Sequence, residues 1–327
     1  MLANKGRVHR LSLAVLILIN RNTIFLAVVL SAEVAVQVLR TLENKDLRTL
    51  QVIETAMSEH EFVPKEVIAR FAEFSVHETE FRLDRLDKSR LVRKIGGAYV
   101  GYTLNYAGYD CLAINALVKG AVLEAFGKPL GVGKEADVYD ALNPKQEKIA
   151  VKFHRLGRIS FRQTTRKRGY TTKHAGWLFQ SRLAAEKEFQ ALKLVFRHKV
   201  AVPKPLSQNR HVLVMGMIEG AELAEWKELS KPEKVLEEIL RNIRKAYLKA
   251  GVIHGDLSDY NIIVKPNTHI LIIDWPQYVM REHPNALQLL TRDVKNVLQY
   301  FGRKRMLKVE LQEALAYVTG TRKTSGF

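Results

Sequence analysis

The chain has 327 residues, of which 47% are hydrophobic, so it is long enough to bury a small core and a larger one. Its single cysteine, Cys111, excludes an intramolecular disulfide and a cysteine-based zinc site, and we expect a reducing, cytoplasmic compartment. The net charge of +18 is unevenly placed, because residues 1–120 carry a surplus of +3 and residues 121–327 carry the remaining +15.

Residues 1–40 form an apolar extension. The runs Leu11 to Ile19 and Ile24 to Leu30 follow Lys5, Arg7 and Arg10, as in a signal sequence or anchor. Neither run reaches the roughly 20 apolar residues that a membrane-spanning helix needs. We therefore favour a translational start placed too far upstream, or a tail that packs on the next domain, over an anchor, and expect no stable membrane partner.

Residues 41–120 have the pattern of a winged helix-turn-helix domain. Three helices and a β-hairpin with a Gly-Gly wing are predicted at Asn44 to Met57, Pro64 to Phe71, Ser75 to Ser89, and Leu91 to Leu104. The third helix begins in capping-box spacing, with Ser75 three residues before Glu78.

The surface of that third helix has mixed charge. Four basic side chains alternate with four acidic ones: Arg82, Arg85, Lys88 and Arg90 against Glu78, Glu80, Asp84 and Asp87. A mixed surface suits protein docking as well as nucleic-acid contact, and we favour the latter. After it, Lys119 to Lys128 is predicted as a helical connector between domains.

A glycine-containing turn and a strand that carries a lysine near its end follow. The turn comprises Gly131, Gly133, Lys134 and Glu135, and the strand Ile149 to Phe153 carries Lys152. Glycines let backbone amides approach phosphates, and a lysine 21 positions after Gly131 can reach the same phosphates. This pair of signals predicts a nucleotide site.

The next stretch is strongly basic, with nine Lys or Arg and no acid from Lys152 to Arg182. One-signed, localised charge is typical of RNA contact, with Phe161, Tyr170 and Trp177 available for stacking. The alternative is a solvated, disordered charge run. The candidate RNA-contacting residues are Arg155, Arg158, Arg162, Arg166, Lys167, Arg168 and Lys173.

A helix and an interlobe link complete the first half of the nucleotide site. The helix Ser181 to Leu194 carries Glu186 and Glu188, which point to different faces, so only one can pair with Lys152. In the link that follows the strand His211 to Met215, the backbone around Gly216 and Ile218 is expected to bind adenine. Val138, Ala150, Met215 and Met217 would enclose the base, although both methionines also suit an ordinary core.

The most informative motif is His254-Gly255-Asp256-Leu257-Ser258-Asp259-Tyr260-Asn261. A predicted hairpin, Ile262 to Val264 and Ile270 to Ile273, returns Asp274 beside Asn261. Asp256 is then placed to orient a hydroxyl, and Asn261 and Asp274 to hold magnesium on phosphate oxygens. Taken alone, the motif also fits a turn rich in capping residues, but its order after the glycine turn and Lys152 favours phosphoryl transfer.

Together these motifs resemble the RIO family of atypical serine/threonine protein kinases, in particular its winged-helix-containing subfamily, the RIO kinase 2 type. The resemblance covers residues 41–310. It implies an α+β fold, in which the winged helix precedes a compact two-lobed kinase-like RIO domain over residues 121–327. The N-lobe would span about 121–215 and the C-lobe about 219–327, closed by helices at Leu287 to Phe301 and Leu307 to Val318.

The resemblance also implies roles for individual residues. Asp256 would be the catalytic aspartate, Asn261 and Asp274 the metal ligands, Lys152 the phosphate lysine and Glu188 its helix partner. The implied cofactors are ATP and Mg²⁺, or Mn²⁺ in its place. Family members also use the metal-site aspartate as a phosphoryl acceptor in ATP hydrolysis, and phosphorylate themselves.

Three positions depart from the relevant patterns. Ala136 replaces a serine usual in the subfamily, Gly216 replaces a common acidic residue, and Gly255 stands where ordinary protein kinases have arginine. No Ala-Pro-Glu segment follows Asp274, and only 53 residues remain after it, so switching by loop phosphorylation is not expected.

The resemblance implies a function in maturation of the small ribosomal subunit, with its precursor, ribosomal RNA, and ribosomal or assembly-factor proteins as partners. Two alternatives stay open. One is a compact kinase of the His-Gly-Asp type acting in tRNA modification or on a small molecule. The other is a nucleotide-bound RNA or assembly scaffold whose catalysis is vestigial.

Overall fold

The computed structural model describes residues 30–97, 99–157, 176–217, 219–304 and 307–324. Its first part is a bundle of short helices with a small antiparallel sheet. The helices are α1 (Ser31–Leu39), α2 (Asn44–Ala56), α3 (Lys65–Ala72), α4 (Val76–Lys88) and α5 (Tyr106–Lys119). The strands β1 (Val63–Pro64), β2 (Val92–Ile95) and β3 (Gly101–Leu104) lie in the order β1-β3-β2, as expected of a winged helix.

Helix α1 belongs to this domain, although the sequence assigned its residues to an uncertain extension. Ala32 and Ala35 are completely buried, and the Cys111 thiol of α5 lies 3.6 Å from the Ala35 carbonyl oxygen. Residues 30–40 therefore agree with the interpretation of a segment that packs on the winged helix. The two apolar runs lie almost wholly outside the described residues. Within the described part of the chain, no helix is long and apolar enough to cross a membrane.

The second part begins with a five-stranded antiparallel sheet in the order β4-β5-β6-β8-β7. Helix α6 (Trp177–Arg197) packs on it. The strands are β4 (Ala125–Val132), β5 (Ala136–Leu142), β6 (Lys148–His154), β7 (Pro205–Asn209) and β8 (Val212–Gly216). The predicted helical connector at Lys119 to Lys128 is wrong, because α5 ends at Lys119 and β4 has begun by Ala125.

The two faces of this sheet serve different neighbours. Alternate residues along β6, such as Val151 and Phe153, join one core with the winged helix, whereas Ala150 joins the core shared with the C-terminal lobe. In the same way, Tyr139 of β5 packs in the core with the winged helix, and Leu213 of β8 packs in the core shared with the C-terminal lobe. Because side chains alternate along a strand, the sheet separates the winged helix from the interlobe cleft.

The last part is a mainly helical lobe. Its helices are α7 (Pro232–Lys245), α8 (Ala286–Arg303) and α9 (Leu311–Thr319), with a π-helical turn at Ala246–Ala250. Its short strands are β9 (Ala221–Glu222), β10 (Val252–Ile253), β11 (Ile262–Val264), β12 (Ile270–Ile272) and β13 (Val279–Met280). Strands β11 and β12 form the predicted hairpin, with Ile262 opposite Ile272.

The contact between α1 and α5 gives a test of the domain boundary. Replacing Ala35 with leucine overfills a position without free space and should cost about 1–3 kcal/mol, lowering the melting temperature. Gln37→Leu, at an exposed position of the same helix, is the matched control and should leave the melting temperature nearly unchanged. Equal melting temperatures for the two variants, measured by calorimetry, would contradict the packing of α1.

Candidate active site

Lys152 lies at the centre of the cleft. Its buried ammonium donates to both carboxylate oxygens of Glu188 at 2.8 Å and to Oδ1 of Asp274 at 2.8 Å. The prediction that Glu188 rather than Glu186 pairs with this lysine is confirmed, because Glu186 accepts from Arg182 at the surface instead. Strand β6, helix α6 and Asp274, two residues after the end of β12, thus meet at one nitrogen.

The charges of this group reinforce one another. Burial alone would lower the pKa of Lys152, but Asp274 and Glu188 more than reverse that and raise it. Burial would likewise raise the pKa of Glu188, yet Lys152 and His154, whose Nε2 lies 2.9 Å away, lower it to about 2. At neutral pH the lysine and glutamate are both charged, and the cleft holds a fixed ammonium.

The glycine turn is open to solvent above this lysine. Residues 127–135 are exposed, and nothing lies within 4 Å of the position a Cβ would take on Gly131. The Gly133 amide donates to the Ala136 carbonyl at 2.8 Å, and the Glu135 carbonyl accepts from the Arg155 amide at 2.6 Å. Lys134 lies at the tip. The turn has open space beside Gly131, whereas the Gly133 amide is already used within the protein, and contact of the turn with phosphates stays a prediction.

The expected adenine wall faces the same cleft. Val138 and Met215 both contribute to the core shared with the C-terminal lobe, and Met217 is half-buried. The Gly216 amide donates to the Lys204 carbonyl at 2.8 Å, so it is already used within the protein. Ile218, the other backbone position predicted to bind adenine, lies outside the described residues.

The loop around Asp256 depends on a glycine and on a buried aspartate. Gly255 has φ +79°, and a Cβ there would lie 2.8 Å from the Gln277 carbonyl oxygen. Asp293 of α8 is buried and accepts from the Gly255 amide at 2.8 Å and the Leu257 amide at 3.0 Å. Arg292 donates to the Gly255 carbonyl. Two amides and a carbonyl that flank Asp256 are thereby fixed from one helix.

His254 connects this loop to the hairpin. Its Nε2 donates to the Ile273 carbonyl at 2.9 Å, and its Nδ1 accepts from the Asp256 amide at 3.3 Å. These contacts assign the neutral tautomer with hydrogen on Nε2. The imidazole packs against Trp275 with ring centroids 4.6 Å apart. His254 therefore orients backbone and does not face the cleft as a catalytic base.

Asn261 and Asp274 are brought together as predicted. The Ile273 amide donates to the Asn261 carbonyl at 2.9 Å, and Asn261 Nδ2 donates to the Asp256 carbonyl at 2.8 Å. Asp274 adopts φ +66°, a conformation that is costly for a non-glycine residue and is often found at functional sites. One amide oxygen and one carboxylate are hard donors of the kind that Mg²⁺ uses beside nucleotide phosphates.

Asp256 itself lies at the surface of the cleft, and its carboxyl has a raised pKa. Partial desolvation is the main cause, and the carboxylate of Asp274 adds to it, while the Arg292 guanidinium acts against it. A raised pKa brings a carboxylate closer to the range in which it can accept a proton during reaction.

Two features of the site were not as the sequence suggested. Arg155, predicted to contact RNA, is 1% exposed and pairs with Asp110 and Asp137, so that prediction is wrong. The other six candidates, Arg158 to Lys173, lie outside the described residues. Asp293 was missed, although an acid between Leu290 and Val294 on the apolar face of a helix is a signal for a buried acceptor.

Comparison with known proteins agrees with this geometry. The RIO domain model matches residues 137–314, and the model of the Rio2 N-terminal domain matches residues 39–120. The chain belongs to the RIO kinase family. Within the family it is of the Rio2 type, an N-terminal winged helix followed by a RIO serine/threonine kinase domain.

Individual RIO kinases match over most of the chain. The RIO-type serine/threonine-protein kinase Rio2 of Methanocaldococcus jannaschii is 40% identical over 274 residues, covering 80% of this chain and all of that protein. The rio2 kinase of Dictyostelium discoideum is 38% identical over 81% of this chain, which spans 51% of that longer protein. The crystal structure of the Chaetomium thermophilum Rio2 kinase–ADP/Mg²⁺–phosphoaspartate complex superposes with a TM-score of 0.75 at 30% identity, covering 86% of this chain and 88% of that one.

The close approach at Gly255 gives a prediction for this RIO kinase. Gly255→Ala should push the loop away from Gln277 and lower kcat for ATP turnover by about 100-fold, because displacement of a catalytic group by an ångström has effects of that order.

Gly251→Ala is the matched control, since Gly251 also has a positive φ of +68° but nothing lies within 4 Å of its Cβ position. That variant should lose about 1–2 kcal/mol of stability from backbone strain and keep its kcat. Steady-state kinetics gives kcat and thermal unfolding gives the stability of both variants. An unchanged kcat in Gly255→Ala would contradict the role of the close approach.

Proposed function

We propose that this RIO kinase binds ATP with Mg²⁺ between its lobes and uses its turnover in maturation of the small ribosomal subunit. The observation that carries the enzymatic part is the meeting of Lys152, Glu188 and Asp274 within 2.8 Å contacts, beside Asn261 and Asp256. These are the parts that phosphoryl transfer requires, and Lys152, Glu188 and Asp274 are held by a strand, a helix and a hairpin.

Each residue then has a defined task. The glycine turn and Lys134 contact the phosphates, and Lys152, held by Glu188, places its ammonium where negative charge accumulates. Bound Mg²⁺ would be held by Asn261 and Asp274 and would offset charge on the phosphate oxygens. Asp256 accepts the proton of an attacking serine or threonine hydroxyl, or of a water molecule, as its raised pKa favours.

Asp274 is also a candidate acceptor of the phosphoryl group. The C. thermophilum Rio2 kinase forms a complex with ADP, Mg²⁺ and a phosphoaspartate. In this chain an Asp274 carboxylate oxygen would attack the γ-phosphorus as the bond to the ADP oxygen breaks. Water would then attack the acyl phosphate, lose its proton to Asp256, and release inorganic phosphate and free Asp274.

Two substitutions separate these roles. Asp256→Asn should keep Mg-ATP binding but lower ATP turnover by about 10²–10⁴-fold, because it removes the proton acceptor. Asp274→Asn should lose the magnesium-dependent part of ATP affinity and all labelling of the protein that hydroxylamine can remove. Calorimetry, release of γ-labelled phosphate and hydroxylamine treatment measure the three quantities.

Glu186→Gln is the control for both variants, because Glu186 lies two residues from Glu188 but, within the described part of the chain, forms its ion pair with surface Arg182. It should behave as the unsubstituted protein does. If Asp256→Asn turned over ATP at the unsubstituted rate, the assignment of Asp256 would be wrong. If turnover were absent from the unsubstituted protein while ATP bound tightly, the alternative of a scaffold with vestigial catalysis would replace the proposal.

The ribosomal part of the proposal is supported by charge. Residues 121–327 carry +15. The stretch from Lys152 to Arg182 contains no acid, and after the paired Lys152, Arg155 and Arg182 are set aside it still has six basic residues, Arg158, Arg162, Arg166, Lys167, Arg168 and Lys173. That is a larger positive surplus than one nucleotide requires, and ribosomal RNA is a partner that such charge fits. A kinase acting in tRNA modification or on a small molecule is not expected to carry a winged helix. The proposal places the protein in the cytoplasm.

The winged helix suits a protein partner better than its sequence suggested. Arg82 is buried and pairs with Glu43, Asp46 and Glu78, and Arg85 also pairs with Glu43. Two of the four basic side chains near α4 are therefore neutralised internally. Three large apolar side chains on α3 and α4 are exposed by more than half, at Phe71, Val76 and Phe81. We propose that a ribosomal or assembly-factor protein binds there.

Charge reversal tests the RNA contact. The triple variant Arg166→Glu, Lys167→Glu, Arg168→Glu should bind small-subunit ribosomal RNA more weakly, and each lost phosphate contact should reduce the slope of log Kd against log salt by about 0.7–0.9. Filter binding over a series of salt concentrations measures both effects.

A second triple variant matches the change in net charge. Lys231→Glu, Lys234→Glu and Arg241→Glu alter exposed residues of the C-terminal lobe and should leave the slope nearly unchanged. If both triple variants lost the same affinity, long-range charge and not a local contact would explain binding. Unchanged affinity in the first variant would end the proposal that this segment contacts RNA.

A further inference from the structure

A buried ionic cluster joins the winged helix to the kinase sheet, away from the cleft. Arg155, just after β6, donates to both carboxylate oxygens of Asp110 on α5, at 2.7 and 2.9 Å. Its Nε donates to Asp137 of β5 at 3.0 Å. His211 Nε2 lies 2.6 Å from Asp110 and 3.1 Å from Arg155. All four side chains are at most 1% exposed.

The charged groups in the cluster stabilise one another against the cost of burial. Burial opposes the charge of Asp110, but Arg155 and His211 outweigh it and lower the pKa of that carboxyl. Burial lowers the pKa of His211 to about 4, so the imidazole is neutral at physiological pH. A charged Arg155 is thus committed to two carboxylates, and removal of either partner leaves charge stranded in the interior.

The backbone of the same arginine holds the glycine turn. The Arg155 amide donates to the Glu135 carbonyl at 2.6 Å, one residue after the register pair Ala136 and His154. Its side chain is on the face of the sheet that meets the winged helix, whereas the turn closes over the cleft. Arg155 therefore connects Asp110 of one domain to the phosphate-facing turn of the other through a single residue.

The next residue is fixed by the winged helix as well. The Tyr106 hydroxyl of α5 donates to the Leu156 carbonyl at 2.7 Å and lies 2.9 Å from Ser181 Oγ. Ser181 Oγ in turn accepts from the Leu156 amide at 3.0 Å. Gly157 has φ +96°, and a Cβ on it would overlap the Trp177 ring. Residues 155–157 thus have their positions set by α5 and α6.

We infer that Asp110 and Tyr106 of the winged helix are positioning residues for the phosphate-binding turn, acting through Arg155 and Leu156, so that the docked winged helix sets the affinity for the nucleotide's phosphates. The inference rests on the proposed function, in which the turn at residues 131–135 contacts those phosphates. It assigns to the winged helix a part in nucleotide binding in addition to any partner it binds.

The test compares ATP with adenosine, which lacks phosphates, on the full chain in the presence of Mg²⁺. Asp110→Asn keeps the shape of the side chain but removes its charge, and Tyr106→Phe removes only the hydroxyl. Each variant should lose about 10-fold in ATP affinity, a typical coupling between sites, and should keep its affinity for adenosine. Calorimetry or a fluorescent-nucleotide competition measures both affinities.

Glu54→Gln provides the matched control. Glu54 of α2 pairs with Arg210 of the β7–β8 turn at 2.6 Å, so it also joins the winged helix to the sheet, but it has no contact with residues 155–157 among its hydrogen bonds and ion pairs in the described part of the chain. It should lower thermal stability without changing the ratio of ATP to adenosine affinity. A merely structural role for Asp110 would make its variant behave like Glu54→Gln.

The outcomes separate this inference from the proposed function. Lys134→Ala, at the tip of the turn, should weaken ATP and spare adenosine; if it does not, the phosphate site itself is wrong. If it does, but Asp110→Asn and Tyr106→Phe bind ATP normally or lose ATP and adenosine equally, only the coupling is overturned. Should Asp110→Asn fail to fold, Tyr106→Phe alone decides by the same two affinities.

Discussion

The buried ammonium of Lys152 is the constraint on which the cleft depends. A charge taken out of water must be paired, and here the partners come from α6, through Glu188, and from the C-terminal lobe, through Asp274. Removing one partner of such a group costs on the order of 3–5 kcal/mol, so the relative placement of strand, helix and hairpin is strongly specified. The catalytic arrangement is therefore also a structural one.

The same pairing prepares the site for its ligands. One carboxylate oxygen of Asp274 accepts from Lys152, and the residue has a left-handed backbone conformation two positions after the end of β12. In the proposed function, nucleotide phosphates would bind the lysine and Mg²⁺ would bind the aspartate, so ligand binding would replace the Lys152–Asp274 ion pair. Glu188, whose pKa is lowered to about 2, is ionised at neutral pH and holds Lys152 through both carboxylate oxygens.

The sequence allowed us to predict which residues meet in the cleft because the signals are local. The glycine turn, Lys152, Asp256 with Asn261, and the hairpin that returns Asp274 each occupy a few consecutive residues, and the hairpin register is set by its apolar pattern. The connector at Lys119 to Lys128 was misassigned because β4 is almost wholly exposed and lacks the alternation that marks a strand. The role of Asp293 could not be predicted from its neighbours in the sequence, because it accepts hydrogen bonds from the backbone amides of Gly255 and Leu257, which are 38 and 36 residues away.

Arg155 shows most clearly why charge patterns mislead. It lies in a run of basic residues, yet it continues the alternation of Ile149, Val151 and Phe153, whose side chains all face the winged helix. Period-two alternation predicts that this side chain is buried, whereas the basic composition predicts that it is exposed. The side chain is buried because the two domains pack against each other at this position.

That placement has a consequence for how partners act on the enzyme. The basic residues Arg158 to Lys173 begin directly after Gly157. A partner bound to them would therefore act next to Arg155 and Leu156, whose backbone is held by Tyr106, Ser181 and the Glu135 carbonyl. Linkage is reciprocal: whatever binding at the winged helix or the segment does to the affinity for ATP, ATP must do to the affinity for that partner. A buried ion pair suits this purpose because it has few alternative geometries, so under the inference above a shift of α5 would be carried to the turn through Arg155.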